Sequence, residues 1–261
     1  RRLGMIGRRA QADPLVEALE DPASRVRAAA ARALGELESG TDALAGRLDE
    51  ESDDQAYLEV VDALSRIGGD RAVDALTEQL ERERRLSLPA RLETDARTFV
   101  AEGLIRLEDG RPVEQLVGLL ESESSSVRRA SKRALNFLTN QRLVESAETP
   151  DNDRIAEAWE SWLEEHADQP RQIWLRDGFR RAGYDVDRLD TRHVWGLTRA
   201  ITDVDYLSHN AQRVLMEISG RHPRSLHWPK EDASFYWRRW FERRRQRLGA
   251  PPIPEELSTL D

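Results

Sequence analysis

Apolar residues return along the chain in a four-residue pattern, Leu-x-x-Leu or Leu-x-x-Ile. A second pattern, Leu-x-x-x-Leu, precedes four of its copies, and polar residues fill most positions between them. Both spacings place the apolar residues on one face of a helix. The chain therefore predicts a series of paired amphipathic helices, about thirty to forty residues per pair apart from one longer interval. The first pattern begins at Leu3, Leu34, Leu64, Leu104, Leu135 and Leu215, and the second at Leu15, Leu44, Leu76 and Leu116.

Turn residues separate the two helices of each pair. Asp13-Pro14 predicts the start of a first helix, because aspartate caps well and proline suits a first turn. Asp21-Pro22 predicts the break before the second helix, and Gly68–Asp70 and Asp109–Pro112 predict later turns. A helical hairpin cannot bury its own apolar face, so successive hairpins must stack. We expect an all-α, right-handed α-solenoid of roughly thirteen helices.

The first pair carries a family resemblance. Its sequence, "DPLVEALEDPASRVRAAAARALGEL", resembles a HEAT repeat of the short type first noted in phycobilisome lyases, within the armadillo-like superfamily. The Asp-Pro turn, Val26-Arg27 and Ala33–Gly35 match that pattern, and the fourth pair keeps Val127-Arg128 and Ala134-Leu135. The resemblance is strongest over residues 13–39. It implies the solenoid fold, and it leaves the function open because such repeats serve many purposes.

The pattern divides the chain into three parts. Residues 1–141 are predicted to be HEAT-like repeats, 142–248 further helical units of the same solenoid, and 249–261 an irregular proline-rich tail. Leu3–Ile6 fits the end of a helix that starts earlier, so we expect the natural protein to extend upstream of Arg1. Residues 81–97 form an insertion, predicted to be a loop. Its leucines, at 86, 88 and 92, are either exposed anchors for a partner or packed beneath the loop.

Two helices near the C-terminus share a Trp-x-x-Trp motif, "AWESWLEEH" at 158–166 and "YWRRWFERR" at 236–244. Trp159 matches Trp237 and Trp162 matches Trp240, whereas charges reverse between the copies, as from Glu160 to Arg238. Burial of one ring removes about 150–250 Å² from water, worth several kcal/mol at about 25 cal/mol/Å². An exposed ion pair contributes about 0–1 kcal/mol. The rings are therefore predicted to form core.

Composition limits the chemistry. There are 40 basic and 49 acidic residues, giving a net charge of −9, which works against non-specific binding to nucleic acid. The chain has no cysteine, which excludes disulfides and thiol catalysis. None of the five histidines has metal-site spacing, and the paired His-Glu motifs of HEAT proteins that hydroxylate deoxyhypusine are absent. We expect no catalytic residue, metal or cofactor.

Residues beside the Leu-x-x-Leu cores form the first candidate binding site, a groove lined by the second helices. Their charges are mixed, whereas duplex binding needs a consistently basic row. The row is either a ladder of salt bridges between repeats or a polar groove for a protein or peptide. The candidate groove residues are Arg32, Glu36, Asp62, Arg66, Glu102, Arg106 and Arg133.

The second candidate is a basic patch near the C-terminus. It is either a solvated helix end, where cations suit the helix dipole, or a contact with an acidic partner or nucleic acid. Its residues are Arg238, Arg239, Arg243, Arg244, Arg245 and Arg247.

These patterns favour a non-catalytic scaffold or adaptor that binds a protein or peptide partner within a larger assembly. A nucleic-acid-binding protein resembling the alkylpurine DNA glycosylases is the first alternative, and a tetrapyrrole lyase or chaperone the second. Nucleic acid is not the expected partner.

Overall fold

A computed structural model describes residues 11–88, 92–143 and 152–258. The chain divides into two compact units. The described part of the first runs to Leu138 and includes 152–161, and the second contains 139–143 and Trp162 onwards. Leu3–Ile6 lies outside the described residues. That the second unit continues the same solenoid stays a prediction.

The first unit consists of helical hairpins. Its helices are α1 (11–18), α2 (Ser24–Glu36), α3 (Thr41–Glu50), α4 (Asp54–Ile67), α5 (Asp70–Leu80), α6 (Ala96–Leu107), α7 (Val113–Gly118), α8 (Ser125–Thr139) and the first part of α9 (Asn152–His166). Helix α2 packs on α4 and α4 on α6, while α3 packs on α5 and α5 on α7. The second helices of the hairpins thus form one layer and the first helices another, as predicted. Asp13-Pro14 does not start α1, because residues 11 and 12 are already helical.

The arginine of the Val-Arg motif closes the turn between the two helices of a hairpin. Arg27 Nη1 donates to the carbonyl oxygens of Asp21 and Pro22, at 2.9 and 3.1 Å. Arg128 Nη1 bonds the carbonyls six and five residues before it in the same way, at 2.5 and 2.9 Å. The second and third hairpins lack this arginine. There Asp53 and Asp95 cap α4 and α6 through the backbone amides of Ala56 and Arg97, each at 2.9 Å.

The insertion forms a β-hairpin rather than the predicted loop. Strand β1 (Arg85–Leu88) pairs antiparallel with β2 (Leu92–Asp95), and Arg85 lies opposite Asp95. Leu86 is fully buried, which fits local packing rather than an exposed anchor. The side chains of Leu88 and Leu92 lie outside the described part of the structure.

The second unit holds the end of α9 and six further helices: α10 (Arg171–Arg181), α11 (Val194–Ala200), α12 (Asp205–Ser219), α13 (Lys230–Glu242), α14 (Arg245–Leu248) and α15 (Glu255–Ser258). Helix α11 packs on α12 and α13, and α10 packs on α12. Their core includes Phe179, Leu197, Leu215, Trp237 and Phe241, all fully buried. The tail contains the short helix α15, where an irregular segment was predicted.

The predicted tryptophan core is present, with one difference. Trp159, Trp162 and Trp237 are buried, whereas Trp240 is only half-buried at the edge of the core. From Ser24 onwards the described residues contain fourteen α-helices, close to the predicted number. Among the described helices, none combines the length and the hydrophobicity that a membrane-spanning helix needs.

Candidate functional site

The predicted groove residues form a row of ion pairs across the layer made by α2, α4, α6 and α8. Arg32 Nε of α2 donates to Glu59 Oε2 of α4 at 3.1 Å. Asp62 of α4 pairs with Arg106 of α6 at 2.6 Å. Glu102 of α6 then pairs with Arg133 of α8 at 2.9 Å. We call these residues, with Arg66 and Glu36, the charged row.

The remaining two members belong to the same surface. Arg66 pairs with Asp62 one turn away on α4, at 2.9 Å. Glu36 is exposed at the end of α2, one turn beyond Arg32. The sequence pattern did not include Glu59, the partner of Arg32. Glu59 lies on α4 three residues before Asp62, and this helical spacing places the two carboxylates near each other on the helix.

The row is held together weakly. The side chains of Arg32, Arg106 and Arg133 remain 57%, 57% and 55% exposed. The hydrogen bond to Glu59 raises the pKa of Arg32 above its ordinary value, so its charge is permanent. Because solvent screens ion pairs this exposed, each contributes little to the free energy of unfolding. The row orients the guanidinium groups but adds little to the stability of the unit.

The arginines of the basic patch fall into different environments. Arg238 is half-buried, and burial lowers its pKa. Arg245 Nε lies 3.6 Å from the carboxylate of Glu242, and Arg247 is exposed. The other three, Arg239, Arg243 and Arg244, line one surface cleft. The structure therefore brings together half of the predicted patch.

This cleft has a volume of about 490 Å³. Its walls come from one side of α13 and the turn that follows, together with the residue two positions after α12. The predicted basic patch did not include four of the lining residues, of which three are aromatic and the fourth, Arg221, lies outside the helices. Among the described residues, the lining consists of Arg221, Phe235, Tyr236, Arg239, Trp240, Arg243 and Arg244.

Three of the histidines lie in different surroundings. His222 and His227 are exposed, while His166 stacks on Trp162 with ring centroids 4.8 Å apart. Within the described residues, Asp185, Asp187 and His193 have possible metal-binding atoms within 4.8 Å of one another. Both carboxylates are exposed, and such acidic groups are common without a metal ion, so this group does not change the expectation for the chain.

Stacked helical hairpins with a common apolar frame define a helical-repeat protein. Residues 12–88 match the family model for HEAT repeats. Residues 12–88 therefore contain HEAT repeats, as the resemblance at residues 13–39 predicted, and the described fold of the chain is the expected all-α repeat fold. HEAT repeats generally mediate protein–protein interaction.

Two solved structures of engineered proteins from the Northeast Structural Genomics Consortium are similar to parts of the chain. One is 23% identical, covers 80% of this chain and 99% of its own, and has a TM-score of 0.35. The other is 20% identical, covers 80% and 97%, and has a TM-score of 0.37. TM-scores this low support no conclusion about this chain. No curated protein matches the chain.

Proposed function

We propose that this protein is a non-catalytic scaffold that binds a protein or peptide partner along the charged row. The observation that carries the proposal is a set of exposed, oriented arginines spread over four successive second helices. Arginine is enriched among the residues that dominate binding energy at protein interfaces. An extended row of this kind is the surface that stacked repeats offer to a partner.

The arginines have donors left for a partner. In the described part of the chain, Arg106 uses only Nη1, which contacts Asp62 and Ser65. Arg133 also uses only Nη1, which contacts both carboxylate oxygens of Glu102. The Nε and Nη2 groups of both residues remain available. Because a neighbouring carboxylate already orients each side chain, a partner would order it at a lower cost in conformational entropy.

The signs of the charges favour a protein over a nucleic-acid duplex. Glu36, Asp62 and Glu102 alternate with the arginines and would repel phosphates, whose neutralisation dominates duplex binding. A protein surface with both acidic and basic side chains can instead place a carboxylate opposite each arginine and a basic group opposite each carboxylate of the charged row.

The test is capture of partners from the native cell extract on the tagged protein, with and without nuclease. The wild type is compared with a variant carrying Arg106→Glu and Arg133→Glu. We expect a partner whose capture resists nuclease and whose recovery falls at least tenfold for the variant. The two glutamates would repel Asp62 and Glu102, and they would also repel the acidic groups of the partner that the arginines bind.

The matched control is Arg71→Glu on α5, an exposed arginine in the other layer of the same unit. It should retain the partner, and the circular dichroism of all variants should match the wild type. Equal recovery by the double variant and the wild type would contradict the proposed surface, and recovery of nuclease-sensitive material alone would contradict the proposed class of partner.

A further inference from the structure

Helix α13 packs one face into the core of the second unit and exposes an adjoining face at the cleft. Aromatic residues and arginines alternate in its sequence, so the sequence alone does not separate the two faces. Ala233, Trp237 and Phe241 are fully buried and pack into the core of the second unit. The adjoining face carries two rows with a spacing of four residues, which brings side chains together on a helix. These rows are Phe235, Arg239 and Arg243, and Tyr236, Trp240 and Arg244.

The arginines of this second face lack carboxylate partners. In the described part of the chain, Arg221, Arg239, Arg243 and Arg244 make no salt bridge, in contrast to the arginines of the charged row. Arg244 instead lies over the Trp240 ring, with Cζ 4.6 Å from its centroid. Such cation–π contacts hold a guanidinium in place without neutralising it. The cleft thus gathers four positive groups with free hydrogen-bond donors.

Exposed aromatic rings continue the cleft. Phe235 is 41% exposed and Trp228 is 40% exposed, although large apolar side chains of the unit are mostly buried. Trp228 contacts Tyr236 edge to face, with ring centroids 5.3 Å apart. An apolar floor beside unpaired guanidinium groups suits a ligand that carries a large apolar group next to an anionic one.

The basic surface is short. One turn before Phe235 and Tyr236, the same two rows continue with the exposed carboxylates of Glu231 and Asp232. A nucleic-acid strand needs a positively charged groove that follows its backbone. The charge of the two rows on α13 changes from positive to negative within about two turns of helix, which is too short for such a groove. The surface matches a ligand that is acidic at one end, apolar in the middle and basic at the other end.

We propose that this cleft binds a short segment of a protein in which a large apolar side chain lies between anionic side chains on one side and cationic side chains on the other. The four arginines would hold the anionic side chains, because the guanidinium fork matches carboxylate and phosphate groups. Phe235, Tyr236, Trp240 and Trp228 would contact the apolar side chain. The site lies wholly in the second unit and is separate from the charged row.

The test is fluorescence anisotropy of a labelled synthetic peptide with a phenylalanine between two lysines and two glutamates. We expect the full chain to bind it, with binding that weakens as salt is added. Arg239→Gln and Arg243→Gln should each weaken binding about tenfold, since a hydrogen bond to a charged group contributes about that much. Arg243→Lys should also weaken it, because the charge remains and the fork is lost.

The matched control is Arg247→Gln, which removes one exposed arginine that does not line the cleft and should leave binding unchanged. A second peptide, with phosphoserines in place of the glutamates, distinguishes the anion: tighter binding indicates a phosphorylated partner, and equal or weaker binding a carboxylate-rich one. The Arg106→Glu, Arg133→Glu variant should bind the peptide normally, which separates this site from the charged row.

Three results would overturn the proposal. These are no binding of either peptide, equal binding when lysines replace the glutamates, and unchanged binding by both glutamine variants of correct circular dichroism. Tighter binding of a single-stranded oligonucleotide that displaces the peptide would assign the cleft to nucleic acid instead.

Discussion

Glu51 joins the first two hairpins through a buried carboxylate. Its side chain is fully buried and accepts hydrogen bonds from Arg27 at 2.6 and 2.8 Å and from Arg47 at 3.0 Å. The backbone amide of Asp53 adds a fourth bond at 2.8 Å. Arg27 thus closes its own turn and holds the end of α3, so one residue of the repeat motif connects two hairpins.

Glu51→Gln should lower the free energy of unfolding by about 3–5 kcal/mol, because it removes the ion-pair partner of the buried Arg27 and leaves Arg47 only the exposed Glu20, at 3.5 Å. Urea unfolding measures the change. The matched control is Glu102→Gln, which breaks an exposed pair and should change the free energy by no more than about 1 kcal/mol. Equal effects of the two substitutions would contradict the structural role of Glu51.

The same carboxylate predicts a dependence on pH. Burial alone would raise the pKa of Glu51, but the hydrogen bonds from Arg27, Asp53 and Arg47 outweigh it and lower the pKa from 4.5 to about 2. A lowered folded-state pKa stabilises the protein fully above pH 4.5, and this stabilisation is lost as the pH falls towards 2. The difference in unfolding free energy between wild type and Glu51→Gln should therefore shrink over that range. A constant difference would show that Glu51 does not titrate as described.

At the scale of elements, the close approach of α2 and α4 depends on a glycine. A Cβ at Gly35 would lie 2.9 Å from the Cα and 3.1 Å from the Cβ of Ala63, while a Cβ at Gly46 would meet nothing within 4 Å. Gly35→Ala should be destabilising by about 1–3 kcal/mol, because the helices must separate. Gly46→Ala on α3 should be stabilising by about 0.5–1 kcal/mol through helix propensity alone. Thermal unfolding measures both, and a stabilising Gly35→Ala would contradict the packing.

Two tryptophans, one on α13 and one just before it, differ in burial and should therefore differ in their contribution to stability. Trp237→Ala should cost about 3–5 kcal/mol in unfolding free energy, because it empties a fully buried site. Trp228→Ala removes an exposed ring and should cost about 1 kcal/mol or less. Chemical unfolding of the two variants checks this difference. A small effect of Trp237→Ala would mean that the ring is not part of the core.

The sequence could predict the elements whose periodicity is simple. The leucine spacings gave the helices, and the repeated Trp-x-x-Trp motif separated buried rings from variable charges. The sequence did not predict the β-hairpin, because the strands Arg85–Leu88 and Leu92–Asp95 are too short to show a clear alternating pattern. Nor could it divide the arginine cluster, since the separation of Arg238 from Arg239 depends on how α13 meets its neighbours.

At the scale of the whole molecule, the protein has two candidate binding surfaces with different chemistry. The charged row carries paired arginines and mixed charge, whereas the cleft on α13 carries unpaired arginines beside rings. The net charge of −9 makes such local positive groups distinct from the average surface. The part of the charged row that the sequence predicted follows from regular repeat positions, while the cleft depends on residues from a turn and two rows of one helix.

The most direct test of the proposed function is carbodiimide footprinting of exposed carboxylates, with and without the captured partner, read by mass spectrometry. If the charged row is the binding surface, the partner should protect Glu36, Asp62 and Glu102, while Asp42 on α3 and Glu78 on α5 should react as before. Protection confined to Asp42 and Glu78, with the charged row unchanged, would contradict the claim that the second helices form the binding surface.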